Sequence, residues 1–286
     1  MAREGFQDRL RAAEERANSL ICVGLDPDHR LLPGVLDPGS DPAAAIVKFN
    51  RAIIDATGDL VSIYKPNFAF YLPYGPAGVD ALLQTRRMIP SQIPVLLDCK
   101  VTDMGPTAEA YARAFFAEWG FDAITVSPYM GEDALAPYLA YEGHGVISIC
   151  KTSNPGSGDF QDQQLAAGGT LYQQVAKRAN DWSERYPATV GLVVGATYPD
   201  QLKTVRRLCP SLPVLLPGVG SQAGNVEASV RAGIDDRGGN LMVSASRSII
   251  YASDGPDFAE KAREAAITLR EQVNVSRTTA NITTIP

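Results

Sequence analysis

Four charged side chains stand at the ends of two apolar runs in the sequence. Asp98, Lys100 and Asp103 follow one short run, and Lys65 lies near the end of the other. Because side chains alternate between the two faces of a strand, Asp98 and Lys100 are expected on the same face. Charges removed from water have to be paired, and even a paired charge adds little stability. The pattern therefore indicates a catalytic strand end, and the alternative is an ordinary ion pair at a strand edge.

Together these groups form an array of alternating acids and bases. Each carboxylate favours the protonated form of the neighbouring lysines, so both lysines are expected to stay protonated. A protonated lysine can donate a proton or stabilise an anion, but it cannot act as a Schiff-base nucleophile. The predicted catalytic residues are Lys65, Asp98, Lys100 and Asp103.

Three polar residues near other run ends are candidates for binding a ligand. Asp26 ends the first apolar run, although a turn or N-cap role explains it equally well. Thr107 opens the helical pattern that follows the array. Ser153 lies in a loop rich in hydroxyl and amide groups, which suits recognition of a polar ring edge. The Asn-Pro-Gly core of that loop is also typical of a plain surface turn.

A glycine-rich segment and an arginine predict a phosphate site. Pro217 and Gly218 open the segment, which leads through Gln222 into a helical pattern. Ser246 and Arg247 end the last apolar run, and the arginine supplies a bidentate charge. Glycines let backbone amides approach an anion, and a helix N-terminus adds partial positive charge. A glycine segment alone is more often a tight turn, and the dinucleotide fingerprint fails because a required glycine is an alanine.

Composition excludes several classes of function. The chain has 286 residues, 45% hydrophobic and 20% charged, and its net charge of −6 argues against nucleic acid as a partner. No apolar run is long enough to span a membrane, and no signal-peptide core is present. The four cysteines lack metal-ligand spacing and the two histidines lie outside the clusters, so no metal site is predicted. We expect a reduced, cytoplasmic protein.

Short apolar runs alternate with helical patterns along most of the chain. Eight such runs lie at 20–26, 61–67, 94–100, 123–129, 146–152, 190–196, 213–219 and 240–246. This alternation predicts right-handed βαβ units and a parallel sheet. The count of eight and the polar run ends favour a single α/β domain, a (β/α)₈ TIM barrel, over a doubly wound open sheet. The barrel is predicted at 1–273, and the Thr-, Asn- and Ser-rich segment 274–286 is predicted to be a mobile tail.

These motifs, in this order, resemble the orotidine 5′-phosphate decarboxylase family, and in particular its longer bacterial subgroup. The resemblance extends over about residues 6–273 and is carried by Thr107 and the segments 24–27, 65–67, 98–103, 151–157, 191–197, 217–222 and 246–247. The chain departs from the common pattern of the subgroup at Val101, Thr102 and Met104, which are variable or apolar positions of the motif.

The resemblance implies conversion of orotidine 5′-monophosphate to uridine 5′-monophosphate and CO₂, a step of pyrimidine biosynthesis, without a cofactor. It also implies that Lys100 protonates C6 of the pyrimidine and that Asp98 lies beside the departing carboxylate and holds Lys100 in place. Asp103 and Thr107 are implied to reach across the interface of a homodimer, so that the two subunits share their active sites.

The resemblance also implies the substrate contacts. Asp26 and Lys65 are expected to bind ribose hydroxyls, and Ser153 the pyrimidine edge. Gln222 is expected to contact a ring oxygen and the phosphate, and Arg247 the phosphate. The expected substrate-binding residues are Asp26, Thr107, Ser153, Pro217, Gln222, Ser246 and Arg247.

Two alternative functions fit the same kind of barrel. Magnesium-dependent sugar-phosphate decarboxylases and hexulose-phosphate synthases share the Asp-x-Lys-x-x-Asp spacing, but they place a metal-binding glutamate where this chain has Lys65. An ammonium group there would repel the ion. The second alternative is a catalytically silent nucleotide-binding barrel, since a fold does not imply a function. The intact charged array argues against it.

Overall fold

Parallel strands alternate with helices throughout the chain. The computed structural model describes residues 4–219 and 225–283. The strands are β1 (Ile21–Leu25), β2 (Ile63–Pro66), β3 (Leu96–Leu97), β4 (Ala123–Val126), β5 (Gly145–Lys151), β6 (Thr189–Val194), β7 (Val214–Pro217) and β8 (Leu241–Ala245). The helices are α1 (Phe6–Ala17), α2 (Pro42–Thr57), α3 (Gly75–Met88), α4 (Gly105–Ala112), α5 (Glu132–Leu139), α6 (Leu171–Arg185), α7 (Pro199–Leu208), α8 (Val226–Gly233), α9 (Arg247–Ile250) and α10 (Phe258–Thr283).

The eight strands form a nearly closed barrel, which confirms the predicted fold class. Their order in the sheet is β2-β1-β8-β7-β6-β5-β4-β3, with every ladder parallel. Two isolated bridges, Tyr64 to Val95 and Asn67 to Asp98, join the outer strands β2 and β3. At this seam the backbone N–H of Asp98 donates to the carbonyl of Pro66, at 2.9 Å.

An apolar layer fills the inside of the barrel near the start of the strands. Each strand contributes one buried side chain to it: Cys22, Ile63, Leu96, Ala123, Ile147, Val193, Leu215 and Met242. Phe6 and Leu10 of α1 pack against this layer, so α1 closes the N-terminal end of the barrel. Gly145 begins β5 under the Phe6 ring, and a Cβ there would lie 2.6 Å from that ring. A larger apolar core lies between the strands and the surrounding helices.

The last helix continues through most of the segment that the sequence analysis separated as a tail. α10 runs without a break to Thr283, so the boundary predicted at residue 273 falls inside a helix. Tertiary contacts satisfy its polar residues: Asn274 donates to the carbonyl of Asn18 at 2.9 Å, and Arg277 to that of Gly238 at 2.8 Å. The mobility predicted for 284–286 concerns residues outside those described.

Within the described ranges, no helix is long and apolar enough to cross a membrane. The four cysteines are free thiols, and Cys22, Cys150 and Cys209 are buried.

Candidate active site

The charged array lies directly above the apolar layer because strand side chains repeat with a period of two. Ile63 belongs to the layer, and Lys65 stands two residues later in β2. Leu96 belongs to the layer, and Asp98 follows it by the same step, just beyond β3. Both charged side chains therefore face the interior of the barrel at its C-terminal end, on either side of the seam.

Asp98 binds both lysines of the array. Its Oδ2 lies 3.2 Å from Nζ of Lys65, and its Oδ1 lies 2.5 Å from Nζ of Lys100. Nζ of Lys65 is also 3.9 Å from Oδ1 of Asp26. Lys65, Asp98 and Asp26 are buried, whereas about half of the Lys100 side chain is exposed. The structure thus brings these four predicted residues together.

Burial and charge act in opposite directions on the buried pair. Burial lowers the pKa of Lys65, but the carboxylates of Asp26 and Asp98 outweigh it and hold that pKa above its ordinary value. Burial raises the pKa of Asp98, but Lys65 and Lys100 outweigh it and hold that pKa well below its ordinary value. The array therefore keeps Asp98 as a carboxylate and Lys65 as an ammonium group at neutral pH.

A left-handed turn brings Lys100 back to Asp98. β3 ends at Leu97, and Lys100 has a φ of +53°, which is costly for a residue with a side chain. Oγ1 of Thr125 accepts the backbone N–H of Cys99 and that of Lys100, both at 3.0 Å, and donates to Oδ1 of Asp98 at 2.8 Å. The expected proximity of Asp98 and Lys100 is therefore correct, but the turn causes it and strand alternation does not.

Sequence reasoning missed Thr125. The signal that could have revealed it is its position in β4, two residues after Ala123 of the apolar layer. By the period of two, a polar side chain there faces the interior beside the array.

A cavity of about 500 Å³ lies over the array. Asp26, Lys65 and Asp98 line it, and so do Pro217, Gly218, Ser246 and Arg247. Gly24 makes room for Ser246, because a Cβ at Gly24 would lie 1.8 Å from Oγ of Ser246. Asp26, Lys65 and Asp98 therefore share one cavity with the predicted anion-binding groups. Lys100 is not among the described residues that line this cavity, and it is connected to it through its contact with Asp98.

Within this cavity Asp26 offers an unused acceptor. Its Oδ1 is buried and has no hydrogen-bond partner among the described residues. An unsatisfied buried oxygen costs free energy, and a hydroxyl group of a ligand would remove that cost.

The cavity lining also contains residues that were not predicted as site residues, and the polar ones among them are Asp28, Arg30, Asn67, Ser244 and Tyr251. The Arg30 guanidinium forms a bidentate pair with Asp28, at 2.9 and 2.6 Å. The Tyr251 hydroxyl accepts the backbone N–H of Asp28 at 2.6 Å. The sequence holds only a weak signal for this group, namely two charged residues in the loop that follows Asp26.

The remaining predicted residues lie elsewhere. Asp103 is half-buried, accepts the backbone N–H of Met104 at 2.8 Å, and forms no ion pair with either lysine of the array within the described part of the chain. Thr107 is exposed on α4. Ser153 follows β5, outside the lining of the cavity as far as the described residues define it. Gln222 lies outside the described residues.

Comparisons with known proteins agree with this fold. Residues 19–262 match the model of the orotidine 5′-phosphate decarboxylase / HUMPS family. An orotidine 5′-phosphate decarboxylase of Thermomicrobium roseum is 49% identical over 94% of each chain, and one of Roseiflexus castenholzii is 47% identical over 95% of this chain and 98% of its own. A crystal structure from Toxoplasma gondii superposes with a TM-score of 0.90 at 34% identity over 98% of each chain. The structure of Leishmania donovani OMP decarboxylase gives 0.82 at 38% identity, over 97% of this chain and 99% of its own. The chain belongs to the orotidine 5′-phosphate decarboxylase / HUMPS family.

Proposed function

We propose that this protein carries out the reaction for which its relatives are named. It is a carboxy-lyase that converts orotidine 5′-monophosphate to uridine 5′-monophosphate and CO₂ in pyrimidine biosynthesis. One observation carries the proposal: a carboxylate held by two lysines forms the floor of a cavity that also contains an arginine and a glycine turn.

The array suits the chemistry of this decarboxylation. When the bond between C6 and the carboxylate breaks, its electron pair stays on C6, and Lys100 delivers the proton that neutralises it. The developing carbanion is stabilised by an ammonium group already in place, which avoids reorganisation during the reaction. Asp98 holds Lys100 from below, at 2.5 Å.

The cavity residues suit the remainder of the substrate. Oδ1 of Asp26, which has no hydrogen-bond partner among the described residues, accepts hydrogen bonds from the ribose hydroxyls. The ammonium group of Lys65, 3.9 Å away, donates hydrogen bonds to the same hydroxyls. Arg247 binds the phosphate, with Pro217 and Ser246 nearby. Gln222 contacts the ring oxygen and the phosphate, and Ser153 the pyrimidine edge. Phosphate binding far from C6 supplies free energy that aligns the ring.

The protein acts as a cytoplasmic homodimer with shared sites. Asp103 has no ion pair with the lysines of its own chain among the described residues, and Thr107 is exposed beside it. Two large apolar side chains close to them in the sequence are exposed, Met104 by 60% and Tyr111 by 37%. Exposed apolar side chains beside polar residues that take no part in the site of their own chain are typical of a surface that a second subunit covers.

Lys65 distinguishes this reaction from that of the magnesium-dependent relatives. Its ammonium group lies 3.2 Å from Asp98 and 3.9 Å from Asp26. It therefore stands between the two carboxylates that a divalent cation would have to share, and it would repel that cation.

An assay of purified protein tests the reaction. Loss of orotidine 5′-monophosphate absorbance is followed in buffer with EDTA and again with added magnesium. We expect the same turnover in both, because the proton donor and the electrostatic stabilisation come from side chains. Turnover that collapses in EDTA and returns with magnesium would contradict the proposal and favour the sugar-phosphate chemistry.

Mixing two inactive variants tests the shared sites. Asp103→Ala and Lys100→Ala are each expected to be inactive, but a mixed dimer has one site with both lesions and one site with neither. At equal amounts and with random exchange, about a quarter of wild-type activity should return, because half of the dimers are mixed. No recovery after demonstrated subunit exchange would place Asp103 in the site of its own chain.

A further inference from the structure

The end of β5 holds a buried lysine that the proposed reaction does not use. The Lys151 side chain is fully buried, and its Nζ lies 2.7 Å from Oδ2 of Asp162 and 3.0 Å from Oγ of Ser157. The same nitrogen lies 4.5 Å from the centroid of the Tyr198 ring. Asp162 and Ser157 belong to the loop between β5 and α6, and Tyr198 immediately precedes α7. One amino group therefore joins three segments at the C-terminal end of the barrel.

The backbone of Lys151 joins the same segments. The ladder between β5 and β6 shifts its register between Ile149 and Lys151, so the end of β5 departs from regular pairing. The carbonyl of Lys151 nevertheless accepts the N–H of Gly195 at 2.8 Å. Both the side chain and the main chain of Lys151 thus fix the point at which the loop leaves the barrel.

Ser153 lies inside the segment that these contacts enclose. Gln161 closes the segment by accepting the N–H of Thr152 at 2.8 Å and donating to its hydroxyl at 2.9 Å. On the other side the backbone of Ser153 packs on Gly195, where a Cβ would lie 2.9 Å from Ser153 N. The position of Ser153 therefore depends on the loop that Lys151 holds from below.

Stability alone does not account for Lys151. A buried ion pair often stabilises a fold less than apolar side chains of the same volume would. The partner Asp162 is 45% exposed, so it would remain in water if the lysine were replaced by an apolar residue. The geometry points to Lys151 as a positioning residue, which fixes the loop after β5 so that Ser153 meets the pyrimidine edge of the substrate. This inference rests on the role of Ser153 in the proposed function.

The test compares Lys151→Met in the wild-type and Ser153→Ala backgrounds. In the wild-type background we expect kcat/KM for orotidine 5′-monophosphate to fall about 10²-fold, the size of effect that a displacement of about 1 Å can cause. In the Ser153→Ala background the same substitution should lower kcat/KM by less than about 3-fold, because the effects of two residues that act through one another are not additive. The melting temperature should stay within about 3 °C of wild type, since no buried charge loses its partner. Lys177→Met, at an exposed position of α6, is the matched control and should match wild type.

Three results would overturn the inference. They are an unchanged kcat/KM in Lys151→Met, an equal loss in both backgrounds, and a Ser153→Ala variant that behaves as wild type. If Lys151→Met does not fold, Lys151→Arg replaces it, because arginine keeps the charge but changes the hydrogen-bond geometry. For Lys151→Arg we expect kcat/KM to fall about 10-fold in the wild-type background and not to fall further in the Ser153→Ala background.

A binding experiment makes the same comparison without turnover. The affinity for uridine 5′-monophosphate is measured by calorimetry for the same variants in both backgrounds. A wild-type protein that binds this nucleotide but does not decarboxylate would contradict the proposed function and still test Lys151.

Discussion

The two ends of the barrel interior use the same strands for opposite purposes. At the N-terminal end, Ile63 and Leu96 pack under Phe6 of α1. Two residues further along the same strands, Lys65 and Asp98 form an ion pair under an open cavity. The distance between the two layers is one repeat of the pleat, about 7 Å. A single register therefore supplies both the core and the site.

The difference between the ends is a difference in free energy. Burying apolar surface stabilises the N-terminal end by about 25 cal/mol per Å². At the C-terminal end the buried charges contribute little net stability, and Lys100 adopts a left-handed backbone conformation that costs about 1–3 kcal/mol. The C-terminal end is thus arranged for a ligand, and α1 and the apolar layer stabilise the fold that holds it.

Lys100→Ala should produce the largest change and should affect chemistry only. We expect kcat to fall by more than about 10⁴-fold, because the proton donor and the stabilising charge disappear together. Binding of uridine 5′-monophosphate should survive. Lys48→Ala, at an exposed position of α2, is the control and should keep wild-type kcat. A variant that retains more than about a tenth of wild-type kcat, a loss of only ~1.4 kcal/mol, would remove Lys100 from the mechanism.

Arg247→Ala should act on binding at the same end of the barrel. Loss of a charge-assisted contact to the phosphate should lower kcat/KM for orotidine 5′-monophosphate, and the fall should correspond to a loss of about 2–4 kcal/mol of transition-state stabilisation. Orotidine, which lacks the phosphate, should be affected much less. The exposed Arg87 of α3 provides a control substitution to alanine. Equal losses on both substrates would show that Arg247 acts elsewhere.

Glu14→Gln should change the free energy of unfolding and leave catalysis unchanged. The change in stability should appear as the pH rises above about 4.5. Glu14 of α1 is buried and accepts the backbone N–H of Asn240 with both oxygens, at 3.1 Å. Burial raises its pKa to about 7, against the hydrogen bond from Asn240 and the charge of Arg277, which lower it. The folded state therefore binds the proton more tightly than the unfolded state does, and ionisation destabilises the fold as the pH rises from about 4.5 to about 7.

The glutamine variant should match wild type near pH 4.5 and be more stable above pH 7, by at most about 3 kcal/mol. Urea unfolding at a series of pH values measures this difference. Glu15→Gln, one residue away on the exposed face of α1, is the control. A glutamine variant that is less stable than wild type at pH 8 would show that the ionised carboxylate is stabilised by its neighbours.

The regular parts of this molecule could be predicted from sequence, and the irregular parts could not. Eight apolar runs indicated the barrel because strands buried on both faces are apolar throughout. The contact between Asp98 and Lys100 was expected, but its cause was not, because the turn at Lys100 depends on the hydrogen bond that the backbone N–H of Lys100 donates to Oγ1 of Thr125, 25 residues later. The C-terminal part of α10 was missed for a related reason. Its polar composition is typical of a tail, and its contacts with distant residues such as Asn18 cannot be read from the local pattern.

The seam between β2 and β3 links the motion of the barrel to its chemistry. One of the backbone N–H groups that close the barrel at this seam and the carboxylate that holds both lysines belong to the same residue, Asp98. Any fluctuation that separates the two strands exposes this N–H to solvent and displaces the carboxylate at the same time. Hydrogen exchange at this single amide would therefore report how often the charged array is disassembled, and a ligand that bridges the seam would slow it.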